Sequence, residues 1–213
     1  YLADTEPGRL LEVGCGDGCR LLRLRKHGWL VEGQDVDPHA RAHALAASGI
    51  TVHGGQLEAL HLPEGRYDAI VMNHVIEHAA DPLGLLQECR RLLAPGGQLV
   101  AVTPNSPSFG HRLFRAHWVH LDPPRHLYLF SVRNLPTLAR NAGFVRIETR
   151  ASAAAAAFVG AASWDIWRCG RHNVNRSPPG ATRIIGFVFQ IAASLAIRIW
   201  RMSGEEVVLR AWK

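Results

Sequence analysis

Leu10–Gly18 reads LLEVGCGDG, an apolar run that ends in three glycines at alternate positions, and a helical pattern follows over Arg20–His27. This order predicts a strand, a tight loop and a helix. Glycine allows a positive φ and lets a ligand approach the backbone, because it has no Cβ. In open α/β sheets such a loop lies at the carboxyl end of the first strand, where nucleotides bind. A plain βα turn would share the pattern, but the context favours a nucleotide-type ligand.

The loop lacks the features that bind phosphate groups. A dinucleotide fingerprint requires a third glycine where this chain has Cys19, and no Gly-Lys-Ser/Thr ending is present. Two carboxylates, Glu12 and Asp17, would repel a pyrophosphate. The loop therefore predicts a phosphate-free ligand with cationic or hydroxyl groups.

The next predicted strand, Trp29–Val36 (WLVEGQDV), ends close to Asp35. This residue lies nearly twenty residues beyond the loop, the separation at which an acidic residue meets ribose hydroxyls. Asp37 is the alternative, but Pro38 follows it, so we expect Asp37 to cap a helix over Pro38–Ala47. The pattern predicts that Asp35 binds the ribose hydroxyls of a nucleoside.

LLEVGCGDG resembles the first motif of class I S-adenosylmethionine-dependent methyltransferases, whose cofactor has no phosphate and carries a sulfonium and an ammonium group. RLLAPGGQLVAVTPN (91–105) resembles a late motif of the same family; in it we expect Ala94–Gly97 to end a helix and Gln98–Thr103 to form the fifth strand. HWVHLDPPRHLYLFS (117–131) is similar to a small-molecule subgroup that includes ubiquinone-biosynthesis enzymes. Several motifs in the family's order are far more specific than any one of them.

The resemblance implies an α/β fold: a Rossmann-like, doubly wound, seven-stranded sheet whose last strand is antiparallel, with a helical insertion before that strand. It assigns residues 1–150 and 205–213 to an S-adenosylmethionine-binding domain. Residues 151–204 are then a helical insertion or lid, which would lie on the substrate side.

The resemblance also implies a set of cofactor-binding residues. Gln56 stands where the family usually has an acidic residue that accepts from the adenine amino group, and an amide carbonyl can accept there too. The N–H of Leu57 is expected to donate to the ring, and Glu58 is an alternative acceptor. The implied set is Glu12, Gly14, Cys15, Gly16, Gly18, Asp35, Val36, Gln56, Leu57 and Asn73.

Three histidines are candidate catalytic residues. His74-x-x-Glu77-His78 matches a zinc-peptidase pattern, which requires both histidines on one helix face and a distant third ligand. Here it directly follows the apolar run Tyr67–Met72, so we expect no metal. By the resemblance this loop borders the cofactor's methionine end and the acceptor. His74 or His78 would then bind the substrate or act as a base, and simple loop packing is the alternative.

The second polar cluster is Asp122-Pro123-Pro124-Arg125-His126, which follows the predicted fifth strand. His126 or Asp122 could accept a proton from an acceptor hydroxyl, and Arg125 could hold an anionic group. A structural Arg–Asp pair is the alternative reading, since loop charges often pair. His117 and His120 are weaker candidates.

Composition limits the cellular setting and the partners. The 213 residues suit one α/β domain with an excursion. Four cysteines without metal or redox spacing predict free thiols in the cytoplasm. Residues 146–213 carry ten Arg and Lys against four Asp and Glu, which accounts for the net charge of +6. No aromatic and basic stacking platform accompanies them, so nucleic acid is not expected; anionic lipid or plain solvated arginines remain.

The insertion should contain one helix over Ala151–Ala162 that continues towards Trp167, a loop over Arg171–Gly180 and a second helix over Ala181–Arg201. The uncharged core of the second helix, Ile184–Ile197, has 14 residues, fewer than the roughly 17–25 that a transmembrane helix requires. We therefore predict a lid over the substrate cleft, a homodimer interface, or a helix in an anionic membrane surface. One polar stripe marks this helix: Arg183, Gln190, Ser194, Arg198 and Arg201.

The sequence thus predicts transfer of a methyl group from S-adenosylmethionine to oxygen or carbon of a small-molecule or lipid-linked acceptor, in the cytoplasm or at a membrane periphery. One alternative is a regulatory module that binds the cofactor without transfer, suggested by Gln56. Another is an NAD-dependent oxidoreductase, against which Cys19 argues.

Overall fold

The computed structural model describes Leu2, residues 4–171 and residues 180–213. The interior of the predicted loop Arg171–Gly180 lies outside the described residues. The strands are β1 (Arg9–Val13), β2 (Leu30–Asp35), β3 (Val52–Gly54), β4 (Tyr67–Asn73), β5 (Leu93–Pro104), β6 (Arg146–Ser152) and β7 (Glu206–Trp212). The helices are α1 (Cys19–Lys26), α2 (Pro38–Ser48), α3 (Pro82–Leu92), α4 (Phe109–Phe114), α5 (Asn134–Asn141), α6 (Ala156–Cys169) and α7 (Gly180–Ile199).

The seven strands form one mixed sheet in the order β3-β2-β1-β4-β5-β7-β6. Strands β1 to β5 pair in parallel, and the last strand is antiparallel. The order reverses between β1 and β4, which creates a crevice at the carboxyl ends of the strands. Helices α6 and α7 stand between β6 and β7, so the predicted Rossmann-like fold with its helical insertion is confirmed.

Two predicted boundaries are wrong. Ala94–Gly97 were expected to stop a helix ahead of a later strand, but β5 already begins at Leu93. Tyr67 pairs with Leu93 while Ala69 pairs with Gln98, so the β4–β5 register shifts. Gly96 and Gly97 lie within β5 at this irregularity. Helix α6 begins at Ala156 and not at Ala151, because β6 continues to Ser152.

Contacts divide the chain into two compact units. The first comprises residues 1–102, 136–148 and 209–213, and the second comprises 103–135 and 149–208. Residues 103–135 therefore group with the insertion; the predicted division at 150 and 205 stays a prediction. The first unit is built on apolar parallel strands, whose Leu10, Ile70 and Leu99 are wholly buried, as expected where both sheet faces are covered.

The second unit packs α6 closely against α7. A Cβ on Gly186 would lie 2.6 Å from the carbonyl oxygen of Ala157, and a Cβ on Gly160 would lie 2.4 Å from the Phe189 ring. Glycine at both positions is what lets the helices approach. Gln190 stabilises the contact. Its Oε1 accepts from the N–H of Ala157 at 3.0 Å, and its Nε2 donates to the carbonyl of Ala153, just before α6.

This packing turns an apolar face of α7 outward. Gln190, one residue of the predicted polar stripe, faces α6, and large apolar side chains of α7 are exposed. These are Ile184, Phe187, Val188, Ile191, Leu195 and Ile199. The expectation that the helix is too short to cross a membrane is wrong: α7 has 20 residues and enough apolar character. One such helix is weak evidence for a span, because core helices share these properties.

Glu205, in the second unit, makes the stability of the protein depend on pH. It is wholly buried, its Oε1 accepts from the N–H of Gly110 at 2.8 Å, and burial raises its pKa to about 7. Between pH 4.5 and 7 the folded protein holds a proton that the unfolded chain releases, so this group lowers stability as the pH rises. We expect Glu205→Gln, which keeps the acceptor, to stabilise the protein by about 1–2 kcal/mol at pH 7.5 and by little at pH 4.5.

Urea unfolding at both pH values measures this effect. Glu148→Gln is the matched control, since that side chain is 45% exposed. A gain of equal size at both pH values, or the same gain in Glu148→Gln, would contradict the assignment to the buried carboxyl.

Candidate cofactor site

A cavity of about 480 Å³ lies at the carboxyl ends of β1 to β4 in the first unit. Its volume falls within the roughly 300–1,000 Å³ of small-molecule sites. Its position next to the reversal of strand order is where open α/β sheets bind ligands. The lining residues are Val13, Gly14, Gln34, Asp35, Val36, Gln56, Leu57, Glu58, Val75, His78, Ala79, Ala80, Asp81 and Leu85.

The glycine loop turns the chain from β1 into α1. Gly14 has φ +65° and Gly16 has φ +53°, a region that residues with a Cβ rarely adopt. A Cβ on Gly14 would lie 2.5 Å from Cγ2 of Val75, whereas a Cβ on Gly16 would meet nothing within 4 Å. Gly14 thus needs both its conformation and its lack of a side chain, and Gly16 needs only its conformation.

The Asp35 carboxylate is held at the cavity wall by two backbone groups. The N–H of Gly16 donates to its Oδ2 at 2.8 Å, and the N–H of Asp37 donates to its Oδ1 at 2.9 Å. Each carboxylate oxygen keeps a further lone pair, so the group can still accept from two hydroxyls. Asp37 instead accepts from the N–H of His39 at 2.8 Å and caps α2, which confirms its predicted role.

The sequence interpretation missed Gln34, which is 4% exposed and lines the cavity. Its Oε1 accepts from the N–H of Gly14 at 3.3 Å, and its Nε2 donates to the carbonyl of Gly55. The side chain therefore ties the loop after β1 to the loop after β3. The available signal was an amide in a strand covered on both faces, since buried polar groups need hydrogen-bond partners.

The predicted adenine residues stand together. Gln56, Leu57 and Glu58 all line the cavity, so the choice between Gln56 and Glu58 as acceptor stays open. Gln56 is extended, and a single helical turn begins at Leu57. The placement agrees with the expected edge of a purine, while the individual roles stay predictions.

Other predicted cofactor residues lie in or behind the loop and outside the cavity lining. Glu12 is 1% exposed and forms an ion pair with Arg20; burial raises its pKa to about 7 against the lowering effect of that guanidinium. Burial likewise raises the pKa of the Cys15 thiol to about 12, which leaves it protonated. Glu12 and Cys15 therefore support the loop from behind the cavity. A direct role for them, and for Gly18 and Asn73, stays a prediction.

The histidine motif after β4 does not form a zinc-peptidase helix. His74 follows β4 with φ +55°, and Ile76–His78 is a single 3₁₀ turn, so the two histidines do not share an α-helical face. His74 Nδ1 lies 3.1 Å from Oε1 of Glu77, which is 1% exposed. His78 lines the cavity. The motif therefore places the imidazole of His78 at the cavity, whereas the imidazole of His74 is held by the buried carboxylate of Glu77.

The third candidate, His126, belongs to the second unit. Its Nδ1 lies 2.7 Å from the carbonyl oxygen of His120, which can only accept, so Nδ1 carries the proton and Nε2 is the basic atom. Arg125 pairs with Asp122 at 3.2 Å on an exposed loop. This pair favours the structural reading of these two charges.

Comparisons with known proteins agree with this geometry. Residues 1–149 match the family model described as a methyltransferase domain. The ubiquinone biosynthesis O-methyltransferase of Cereibacter sphaeroides is 38% identical over 119 residues, which cover 52% of this chain and 48% of that protein. The enzyme of the same name from Pseudomonas aeruginosa is 33% identical over 104 residues, 46% of this chain and 44% of that protein. The match thus spans about half the length of these relatives.

Solved structures share the fold over almost the whole chain. A methyltransferase of Thermotoga maritima superposes with a TM-score of 0.66 at 21% identity, covering 98% of this chain and 83% of the other. Phosphoethanolamine N-methyltransferase 2 of Haemonchus contortus, solved with S-adenosylmethionine, gives a TM-score of 0.66 at 16% identity, covering 97% and 49%. With the family match over most of its length, the chain belongs to the class I S-adenosylmethionine-dependent methyltransferases, and S-adenosylmethionine is its cofactor.

Proposed function

We propose that this chain transfers a methyl group from S-adenosylmethionine to an oxygen atom of a small-molecule or lipid-linked acceptor, with transfer to carbon as the second case. The observation that carries the proposal is the Asp35 carboxylate, which two backbone N–H groups hold at the wall of a cavity beside the glycine loop. The names of the relatives support oxygen as the acceptor atom. A small molecule that bears a hydroxyl fits these observations.

In this proposal the cofactor site is assembled from four strand ends. Asp35 accepts from the ribose hydroxyls, with Val36 beside it. Gln56 accepts from the adenine amino group while the N–H of Leu57 donates to the ring. The glycine loop and the adjoining end of β4 are shaped by Glu12, Gly14, Cys15, Gly16, Gly18 and Asn73. No phosphate needs to be held, which agrees with the Asp17 carboxylate in the loop, whose pKa is lowered because it accepts from the N–H of Cys19.

The bound cofactor supplies a methyl group on a sulfonium, which is a good leaving group. The chain therefore contributes mainly alignment and exclusion of water. A hydroxyl acceptor must also lose a proton. We propose His78, at the cavity wall, as the first candidate base, with His74 oriented by Glu77 and His126 through its Nε2 as the alternatives.

We further propose a cytoplasmic protein that contacts anionic membranes through the insertion 151–204. The outer face of α7 is apolar, and α7 contains Arg183 and Arg198 but no acidic residue. That combination is typical of helices that lie in a membrane interface. A homodimer through 181–201, or a lid over the acceptor, are the alternatives for the same face.

Methyl-labelled S-adenosylmethionine tests the function directly. We expect label to move to a phenol that carries a long alkyl chain, with release of S-adenosylhomocysteine, and less to the same phenol without the chain. The variant Asp35→Ala is the control for turnover at the assigned site. Tight binding of S-adenosylhomocysteine without turnover on any acceptor would favour the regulatory module, and binding of NAD in its place would favour the oxidoreductase.

A further inference from the structure

A second cavity, of about 820 Å³, lies within the second unit, where α4 and the turn Arg115–His117 face α6 and α7. We call it the chain cavity. Its lining is aromatic and aliphatic except for Arg115 and His117. The lining residues are Phe109, Leu113, Phe114, Arg115, Ala116, His117, Trp164, Trp167, Ile184, Ile185, Val188, Phe189 and Ala192.

The chain cavity has an aromatic floor and an open apolar mouth. At the floor, the ring of Phe189 lies with its centroid 5.4 Å from that of Phe109 and 5.6 Å from that of Phe114, and Phe189 is buried. At the mouth, Leu113 and Ile184 are exposed by 57% and 66%. Apolar side chains so arranged leave a concave surface in contact with water, which a hydrocarbon would cover favourably.

Arg115 gives the chain cavity a polar end. Its backbone has φ +50° and ψ −119°, a conformation that favours glycine, and strained residues of this kind cluster at binding sites. Among the residues that the structure describes, no carboxylate lies within ion-pairing distance of its guanidinium. Asp122 in the same unit is paired with Arg125, and Glu205 is buried. The Arg115 guanidinium can therefore pair with the anionic group of a ligand.

We propose that the chain cavity binds one hydrocarbon chain of a single-chain amphiphile whose anionic head is held by Arg115. The chain lies on Phe109, Phe114 and Phe189, between the Trp164–Trp167 pair and the α7 side chains. The volume fits one small amphiphile, since sites that bury such molecules enclose roughly 300–1,000 Å³. This inference goes beyond the proposed methyl transfer and does not depend on it.

The Trp164–Trp167 pair, whose ring centroids lie 4.9 Å apart, provides a local reporter. We expect brominated hexadecanoate, added below its micelle concentration and without S-adenosylmethionine, to quench tryptophan emission saturably. Replacing both residues by Phe should remove most of the quenching. In competition, affinity should rise up to about fourfold per methylene from octanoate to dodecanoate and then level off when the cavity is full. Hexadecanol, which lacks the anionic head, should bind at least roughly tenfold more weakly.

Three variants locate the site. Ala192→Phe fills the cavity and should abolish saturable quenching. Arg115→Gly removes the guanidinium at a backbone position that suits glycine, so the fold is kept, and affinity for hexadecanoate should fall about tenfold or more while that for hexadecanol stays unchanged. Leu195→Gln is the matched control, because Leu195 is exposed on the same helix but does not line the cavity, and we expect no change.

Two results would overturn the proposal. One is an equal loss of binding in Leu195→Gln and Ala192→Phe. The other is binding to phosphatidylglycerol vesicles with no saturable binding of monomeric hexadecanoate, which would show that the α7 face meets a bilayer and leaves the cavity empty. Neither result bears on turnover of S-adenosylmethionine, so the two proposals fail separately.

Discussion

Asp35→Ala is expected to weaken binding of S-adenosylhomocysteine by about 1–3 kcal/mol, or roughly 5- to 150-fold. The variant removes the acceptor proposed for the two ribose hydroxyls. It also releases the N–H of Gly16, which the carboxylate now holds at 2.8 Å, so the glycine loop loses a constraint. Isothermal titration calorimetry on the purified chain measures the change.

Two companion variants separate ligand binding from loop support. Asp35→Asn keeps one carbonyl acceptor and should fall between the wild type and Asp35→Ala. Asp37→Ala removes the cap on α2, so it should cost about 1 kcal/mol of stability and leave the affinity unchanged. Unchanged affinity in Asp35→Ala, or an equal loss in Asp37→Ala, would refute the ribose assignment.

The positions of the glycine loop and of Asp35 were predictable because each has a strong signal in the sequence. The glycine loop and the Asp37-Pro38 cap each depend on residues within a few positions of one another. Asp35 is identified by its place at the end of the next strand, 19 positions beyond Gly16. Gln34 was missed because its partners, Gly14 and Gly55, come from two other loops, and no local pattern announces such a bridge.

The errors have a common cause in long-range contacts. Pro95-Gly96-Gly97 has the chemistry of a turn, yet β5 runs through it because pairing with β4 extends back to Leu93. The periodicity of α7 identified a helix but not which face packs inward. That choice was made by Gly186 and Gly160, which allow a close helix–helix contact, and by Gln190, which finds its partners on that side.

Gly14→Ala should be the most damaging single change in the glycine loop, with a loss of stability of about 2–4 kcal/mol and no measurable binding of S-adenosylhomocysteine. An alanine at position 14 would have to adopt a strained φ of +65°. Its Cβ would lie 2.5 Å from Cγ2 of Val75, a residue that lines the cavity. Gly16→Ala has a similar φ but open space around its Cβ, so it should cost only about 1 kcal/mol.

A double-mutant cycle with Val75→Ala distinguishes the overlap from the backbone strain. Removing the Val75 methyl groups frees the space that the Cβ added at position 14 would enter, while the positive φ remains. We therefore expect the double variant to recover about 1–2 kcal/mol relative to the sum of the single effects, measured by urea unfolding. Additive effects, or an equal cost for Gly16→Ala, would mean that conformation alone requires glycine at position 14. A positive coupling would instead show that the loop after β4 presses on the glycine loop and sets the width of the cofactor cavity.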